Sequence, residues 1–332
     1  MAKGHKPKAG SRAYWPRKRA NRMYPSFKNS KEMERVAGKM KDVKPIEFAG
    51  YKAGMTSVIF TDNRKHSVTS GQDLVRPVTV IDCPPLFVFG IKVYRKRNGE
   101  RVTLGLILAD NLKKHLARKI DLPKKRKSKT GDFEGRLDQV SDIRLLVHTQ
   151  PKNSGLEKKR PEIFELDLSG NTESKWNYAK EKLGKELNIN EIFSEGEYVD
   201  VKGVSKGKGF QGVVKRFGVK IRSRKNKGKR RHIGTMGPVT PGRVLPGVIP
   251  QAGQLGFQTR TEYNKRLVKI GEEGISPKGG FVNYGVVPKN YVLMEGSVPG
   301  PKKRLIMFRK SFRKTDFKDT VEIKHVSLES QQ

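Results

Sequence analysis

Between Val201 and Thr261 the chain holds fifteen Lys and Arg residues and not one Asp or Glu. Such a stretch cannot build a core of its own. Its charges repel, no carboxylate is at hand to pair them, and its apolar residues keep neither a helical nor a strand period. Three further blocks share this character. Residues 1–31 hold ten basic residues and no acid, residues 113–129 hold nine with Asp121 alone, and residues 301–314 hold seven and none. Together the four blocks carry +40 in 123 residues, which leaves −2 on the other 209 of a chain whose net charge is +38. A lone charge run is ordinarily a solvated face. Four runs beside a neutral remainder divide the chain into a body and basic appendages. They call for a dense polyanion, with nucleic acid first and an anionic membrane surface second.

The other function classes find little support. No apolar run approaches the roughly 18 residues of a spanning helix, so nothing is expected to cross a bilayer, and Met1 to Phe27 lacks the apolar stretch of a secretory signal; with nucleic acid preferred as the polyanion, no membrane is expected as a partner. Cys83 is the single cysteine; it excludes an internal disulfide and a cysteine-rich zinc site, and it fits a reducing cytoplasm. His5, His66, His115, His148, His232 and His325 are scattered, with no His or Cys at ligand spacing. No metal and no Ser/His/Asp set is expected from them. Gly207-Lys208-Gly209-Phe210-Gln211-Gly212 matches the G-x-G-x-x-G dinucleotide pattern. The acidic residue that pattern needs about 20 positions on is missing, since that region is Arg224–Arg231. The segment reads instead as an exit from the body, with Lys206, Lys208 and Lys215 facing phosphates. No cofactor, small-molecule substrate or enzymatic activity is expected.

Along the chain, residues 1–42 read as a basic arm. Tyr14, Trp15, Tyr24 and Phe27 stand among its cations. They can stack on unpaired bases or dock the arm on the body, and both can hold at once. Lys3, Lys6, Lys8, Arg12, Trp15, Arg17, Lys18, Arg19 and Arg22 are its candidate RNA contacts. The body follows as β-branched and aromatic runs split by Gly, Pro and Asp. Strands are expected at Ile46–Tyr51, Thr56–Phe60, Val75–Ile81, Phe87–Tyr94 and Arg101–Leu108. A short basic helix is expected at Asn111–Ile120, then a loop at Leu122–Gly131. Strands at Ile143–Thr149 and Glu162–Leu168 precede an amphipathic helix at Glu173–Leu187, and strand character returns at Tyr198–Val204. Later strands are expected at Arg266–Ile270, Phe281–Val287, Tyr291–Glu295, Arg304–Phe308 and Val321–Val326. The fold class is mostly β with an α/β insert: a β-barrel over 43–95, 196–204 and 263–332, interrupted by the insert at 96–195 and by a basic extension at 205–262.

That extension divides in two. Lys202–Arg231 carries thirteen basic residues, while Ile233–Thr259 carries only Arg243 and is rich in Gly and Pro. A cationic stalk with a nearly uncharged tip suits threading into packed RNA, and each limb of about 28 residues reaches at most ~80–90 Å. Candidate contacts are Lys206, Lys208, Lys215, Arg216, Lys220, Arg222, Arg224, Lys225, Lys227, Lys229, Arg230, Arg231, His232, Arg243 and Arg260. Lys302, Lys303 and Arg304, in a turn after Gly300-Pro301, complete the set. Val239, Thr240, Pro241 and Gly242 form the tip.

At these residues the chain closely resembles the universal ribosomal protein three family of the large subunit, in its archaeal form. The matching stretches are Gly50-Tyr51-Lys52-Ala53-Gly54-Met55-Thr56, Gly203–Gly212 with Val213–Gly218, Thr240-Pro241-Gly242-Arg243-Val244, Ala252-Gly253-Gln254 with Thr259-Arg260-Thr261, and Gly296–Arg304. With the arm at Tyr14–Arg19 they span essentially the whole chain. The resemblance implies a six-stranded barrel like that of translation factors and an extension toward the peptidyl-transferase centre. It also implies early binding in large-subunit assembly. As neighbours it implies large-subunit ribosomal RNA, universal protein fourteen and the twenty-four-e protein. The chain departs from the family at the tip. Eukaryotic members have Trp-His-Pro where Val239-Thr240-Pro241 stand here, and bacterial members have a modified Gln at the place of Val239. Neither the aromatic contact nor the modification carries over, whereas Pro241-Gly242 and Arg243 do. The rival readings are a non-ribosomal RNA chaperone or chromatin protein, and an RNA-modifying enzyme on a basic platform. A cofactor loop with its acidic partner, or a clustered catalytic set, favours the enzyme, and the sequence has neither.

Overall fold

A computed structural model describes residues 15–27, 37–38, 40, 42–64, 66–123, 130–240, 242–245, 247–313 and 321–329. Its strands are β1 (Glu47–Thr61), β2 (Asp73–Asp82), β3 (Leu86–Arg97), β4 (Glu100–Leu108), β5 (Asp142–His148), β6 (Ile163–Asp167), β7 (Glu186–Leu187), β8 (Tyr198–Val204), β9 (Gly207–Gln211), β10 (Gly253–Gly256), β11 (Thr259–Gly271), β12 (Tyr291–Glu295), β13 (Leu305–Lys310) and β14 (Glu322–Val326). The α-helices are α1 (Gly131–Glu134), α2 (Thr172–Lys182) and α3 (Val213–Phe217). The chain is mostly β with a helical insert. It forms two units, one joining the segment that ends at Met23 to Val204–Arg260, the other comprising Tyr24–Gly203 and Thr261 onward.

In the larger unit six strands close a ring in the order β13-β8-β11-β12-β2-β1, with β1 paired back to β13. Closure leaves no unpaired edge among these strands. β1 makes it possible by its length. Its first residues pair with β13, its far end with β14, and most of its other edge with β2. The expected break between two strands at Ala53-Gly54 is instead a bulge in one continuous strand.

The insert is a second sheet ordered β4-β3-β5-β6, with β7 also on β3, so the strand expected at Phe87–Tyr94 within the barrel over 43–95 pairs in this sheet and not in the ring. β3 shows why its apolar run lacks clean alternation. Leu86 and Val88 belong to the main core, while Phe87 and Phe89 join Leu116 in a smaller cluster. A bulge between Val88 and Gly90 then shifts the parity, so that Ile91 and Val93 face the main core. One extra residue exchanges the two faces of a strand. Tyr51 links ring to insert: its hydroxyl donates to Glu162 Oε2 at 2.8 Å and lies 2.9 Å from Thr149 Oγ1.

Three expected elements are corrected. Only Lys114–Arg118 of the expected basic helix winds, as a 3-10 turn, because Leu116 is its one buried anchor among like charges. The amphipathic helix is α2 and stops at Lys182. Beyond it the Gly184 amide donates to the Val88 carbonyl and Val88 donates to Lys185, so pairing to β3 overrides the helical period of Leu183 and Leu187. Phe281–Val287 is a turn, closed by Phe281 N–H to the Gly285 carbonyl at 2.9 Å. Phe281, Tyr284 and Val287 are anchors in the core while Val286 is exposed, and the Tyr284 hydroxyl donates to Asp82 Oδ2 at 2.7 Å.

Glu47 lies buried at the start of β1, where burial, then the nearby Asp167, push its carboxyl up to about 8 against the pull of Arg309. The unfolded chain loses this proton near 4.5, the folded chain near 8. Folding therefore becomes less favourable as pH rises through that window, by an amount on the order of a few kcal/mol. Glu47→Gln should flatten the urea midpoint measured against pH between those values. An undiminished slope would assign the dependence to other groups.

Candidate nucleic-acid interface

The smaller unit is built on little apolar burial. Phe210, Met236, Val239 and Val248 are exposed in it, Val239 at 93%. Hydrogen bonds hold it instead. β9 and β10 pair antiparallel, Gln254 opposite Phe210. Below them the two limbs of the chain are tied by Phe257 N–H to the Lys206 carbonyl at 3.1 Å and Ser205 N–H to the Gln258 carbonyl at 3.0 Å. The excursion thus begins as a short ribbon, where the sequence showed only irregular texture. α3 follows with five residues, too short for the helix that a dinucleotide fingerprint requires.

The expected cations divide between struts and exposed positions. Arg216 is a strut: its guanidinium donates to the carbonyls of Gln251 at 2.6 Å and Gln254 at 3.1 Å. Arg222 is another, with Nη2 donating to the Ile233 carbonyl at 3.0 Å. Lys206, Lys208, Lys215, Lys220, Arg224, Lys225, Lys227, Lys229, Arg230, Arg231, His232 and Arg243 are exposed to solvent, and Arg260, also exposed, donates to Gln258 Oε1 at 3.2 Å. The 222–230 loop that carries five of them is closed by backbone bonds, Arg222 N–H to the Arg230 carbonyl at 3.0 Å and Lys229 N–H to the Asn226 carbonyl at 2.8 Å. Its charged side chains are not needed to shape it.

Residues 15–23 belong to the same unit. The Arg17 guanidinium sits 4.3 Å from the centre of the Phe217 ring. Burial, then the charges of Arg216 and Arg260, hold Arg17 below its ordinary value. Neither segment of the unit contains an Asp or Glu. In the larger unit, by contrast, Arg144 pairs with Asp167 at 2.7 Å and Asp142 at 3.3 Å. Cations gathered without carboxylates relieve their repulsion on an external anion.

Lys18, Arg19, Ala20 and Asn21 line an open cleft of about 600 Å³ with Gln254 and Phe257. Trp15 is 56% exposed, whereas Tyr24 and Phe27 pack on the larger unit, the Tyr24 hydroxyl donating to the Ile163 carbonyl at 2.8 Å and Arg309 lying over the Phe27 ring at 4.6 Å. Tyr24 and Phe27 therefore take the docking role, and Trp15 is left exposed. Lys3, Lys6, Lys8, Arg12, Tyr14 and Pro241 lie outside the described residues. Lys302, Lys303 and Arg304 belong to the larger unit; Lys303 is exposed in a turn, and burial holds the half-buried Arg304 below its ordinary value. Gly242 takes φ +75°, the left-handed conformation expected of a turn-forming glycine there. Phe210, Gln254 and Phe257 went unmarked as candidates, although the glycines on both sides of Phe210 pointed to an unshielded ring. Among the described residues no group of three or more His, Cys, Asp or Glu is gathered as for a metal, and no helix is long and apolar enough to cross a membrane.

A β-rich body joined to an acid-free unit of exposed cations defines a protein of the nucleic-acid-binding class. The family model described as ribosomal protein L3 matches residues 1–332, and the chain belongs to that family. It is similar to the large ribosomal subunit protein uL3 of Methanococcus aeolicus, 45% identical over 99% of this chain and 98% of the relative. The protein of that name in Methanocaldococcus jannaschii is 46% identical over the same shares. That of Archaeoglobus fulgidus is 45% identical over 99% of both chains.

Proposed function

We propose that the chain is an RNA-binding structural constituent of the large ribosomal subunit and acts as a scaffold, not an enzyme. The observation that carries the reading is the smaller unit: most of its cations are exposed, backbone bonds with the Arg216 and Arg222 struts hold its shape, and it has no acid of its own to satisfy the exposed charges. Large-subunit ribosomal RNA is the matching polyanion, read mostly by shape and phosphate position. The relatives named above carry the large subunit in their names. The six-stranded ring acts as a barrel of the translation-factor kind and docks on the particle with the insert. The arm over 1–42 and the extension over 205–262 fill RNA crevices. The tip at Val239–Arg243 reaches toward the peptidyl-transferase centre and tunes its RNA without a catalytic group. Early binding during assembly, a cytoplasmic location, and universal protein fourteen and the twenty-four-e protein as neighbours complete the reading.

The test is retention. Tagged full-length protein expressed in an archaeal host should co-sediment with large subunits, one copy per particle, after a salt wash that strips loosely held proteins. Protein released to the top of the gradient, or spread over small subunits and free RNA, would favour a chaperone.

A further inference from the structure

We propose that the cleft of the smaller unit seats one unpaired RNA nucleotide, with Lys18 and Arg19 on its phosphate and Phe210 stacked on its base. This rests on the RNA-binding reading and deepens it: phosphate neutralisation alone needs no base, whereas this site does.

The cleft, at about 600 Å³, has the size of a small-ligand site. Two exposed cations stand on one wall and Gln254 on another. Phe210 is register partner to Gln254 in the β9–β10 ribbon. Opposite residues in an antiparallel pair project from the same face with Cβ atoms about 5 Å apart, so Phe210 projects from the same face of the ribbon as Gln254 and flanks the cleft without lining it. The ring is 78% exposed. At Gly209 and Gly212 an added Cβ would meet nothing within 4 Å, so the chain on either side of Phe210 borders open space. A scattered exposed phenyl is ordinary on a protein surface. This one differs in lying two residues from Lys208 on an acid-free ribbon beside a cationic cleft, the arrangement that binds single-stranded nucleic acid by stacking.

The cleft is also preformed. Phe257, on its wall, has φ +53°, a left-handed conformation that bulky side chains seldom adopt. Its N–H donates to Lys206 and its carbonyl accepts from Ala20 N–H at 2.8 Å. Gly256 beside it has φ +71°, and any Cβ there would collide with the Lys206 carbonyl. Conformations enforced in this way concentrate at ligand sites. The Gln254 amide donates to the carbonyls of Leu255 at 3.1 Å and Gly256 at 3.0 Å, which fixes it and turns its Oε1 into an acceptor for a base N–H.

The experiment uses full-length protein with two probes: a short oligoadenylate carrying one 2-aminopurine, and an RNA duplex of equal phosphate count. Binding of the wild type should quench 2-aminopurine fluorescence through stacking. Phe210→Ala should abolish the quench and weaken single-strand binding by about 5- to 150-fold, while leaving duplex affinity unchanged. Phe210→Trp should restore both. Because the ring is exposed, thermal melts of both variants should match the wild type. Lys18→Ala with Arg19→Ala should lower the salt slope for the single strand by about 1.4. The site is rejected if Phe210→Ala keeps the quench, or weakens both probes alike. Salt-dependent duplex binding in that case would leave the RNA-binding reading standing. Wild-type protein that binds neither probe in a salt-dependent way would overturn both.

Discussion

Replacing Lys225, Lys227, Lys229 and Arg230 with Ala should weaken binding to ribosomal RNA by roughly 10³-fold near 0.1 M monovalent salt, and by almost nothing near 1 M. Each cation that sits on a phosphate releases condensed counterions, at about 0.7 per contact for single strands and 0.9 for duplex. Four contacts therefore remove about 3 from the slope of log affinity against log salt. The four side chains are exposed, and the loop beneath them is closed through backbone atoms that the substitutions leave in place. Stability should accordingly stay within about 0.5 kcal/mol of the wild type. Affinity titrated at several salt concentrations separates the outcomes. An unchanged slope would mean that these cations face solvent and not phosphate, however strongly the protein binds. A smaller drop, near 0.9 per residue, would count how many of the four make contact.

Most strands of the ring and insert were legible because their residue types answer to burial. Tyr198–Val204 and Tyr291–Glu295 are apolar, β-branched and bounded by polar or Gly-containing turns, and they form β8 and β12 with the expected limits. Reading failed where long-range bonds decided the outcome. Nothing local shows that Gly184 and Lys185 will bond to β3 and end α2, or that Phe281, Tyr284 and Val287 will be anchors on a turn and not alternate residues of a strand. Closure of the ring lay further out of reach, since β1 must find three partners distant in sequence. The basic surface was legible as composition because absence of acid survives folding. The division of labour within it was not. Arg216 and Arg222 look like Lys225 or Lys227 in the sequence, yet the first two spend their donors on carbonyls of their own unit. The pairing of Phe210 with Gln254 is likewise invisible in the sequence.

Gly242→Val should separate assembly from activity. Gly242 holds φ +75°, with open space at the position of a Cβ apart from the Val239 carbonyl at 3.7 Å. The obstacle to valine is therefore the backbone conformation, not crowding. Forcing a β-branched residue into it costs about 1–3 kcal/mol, enough to deplete the native tip conformation by roughly 5- to 150-fold. The tip carries one cation, Arg243, whereas Lys202–Arg231 carries thirteen, so the stalk is expected to supply most of the affinity. Incorporation of Gly242→Val into large subunits should stay near normal, and peptidyl transfer or tRNA binding per subunit should fall. Arg243→Ala removes one charge and keeps the backbone, so its effect should lie in the same direction and be smaller. Gly242→Ala, which meets the same backbone restriction with less bulk, should fall between Gly242→Val and the wild type. Protein content and activity are to be measured on the same purified subunits. Full activity in fully loaded Gly242→Val particles would remove the tip from the working centre. Activity and content falling together would make the tip part of the anchor.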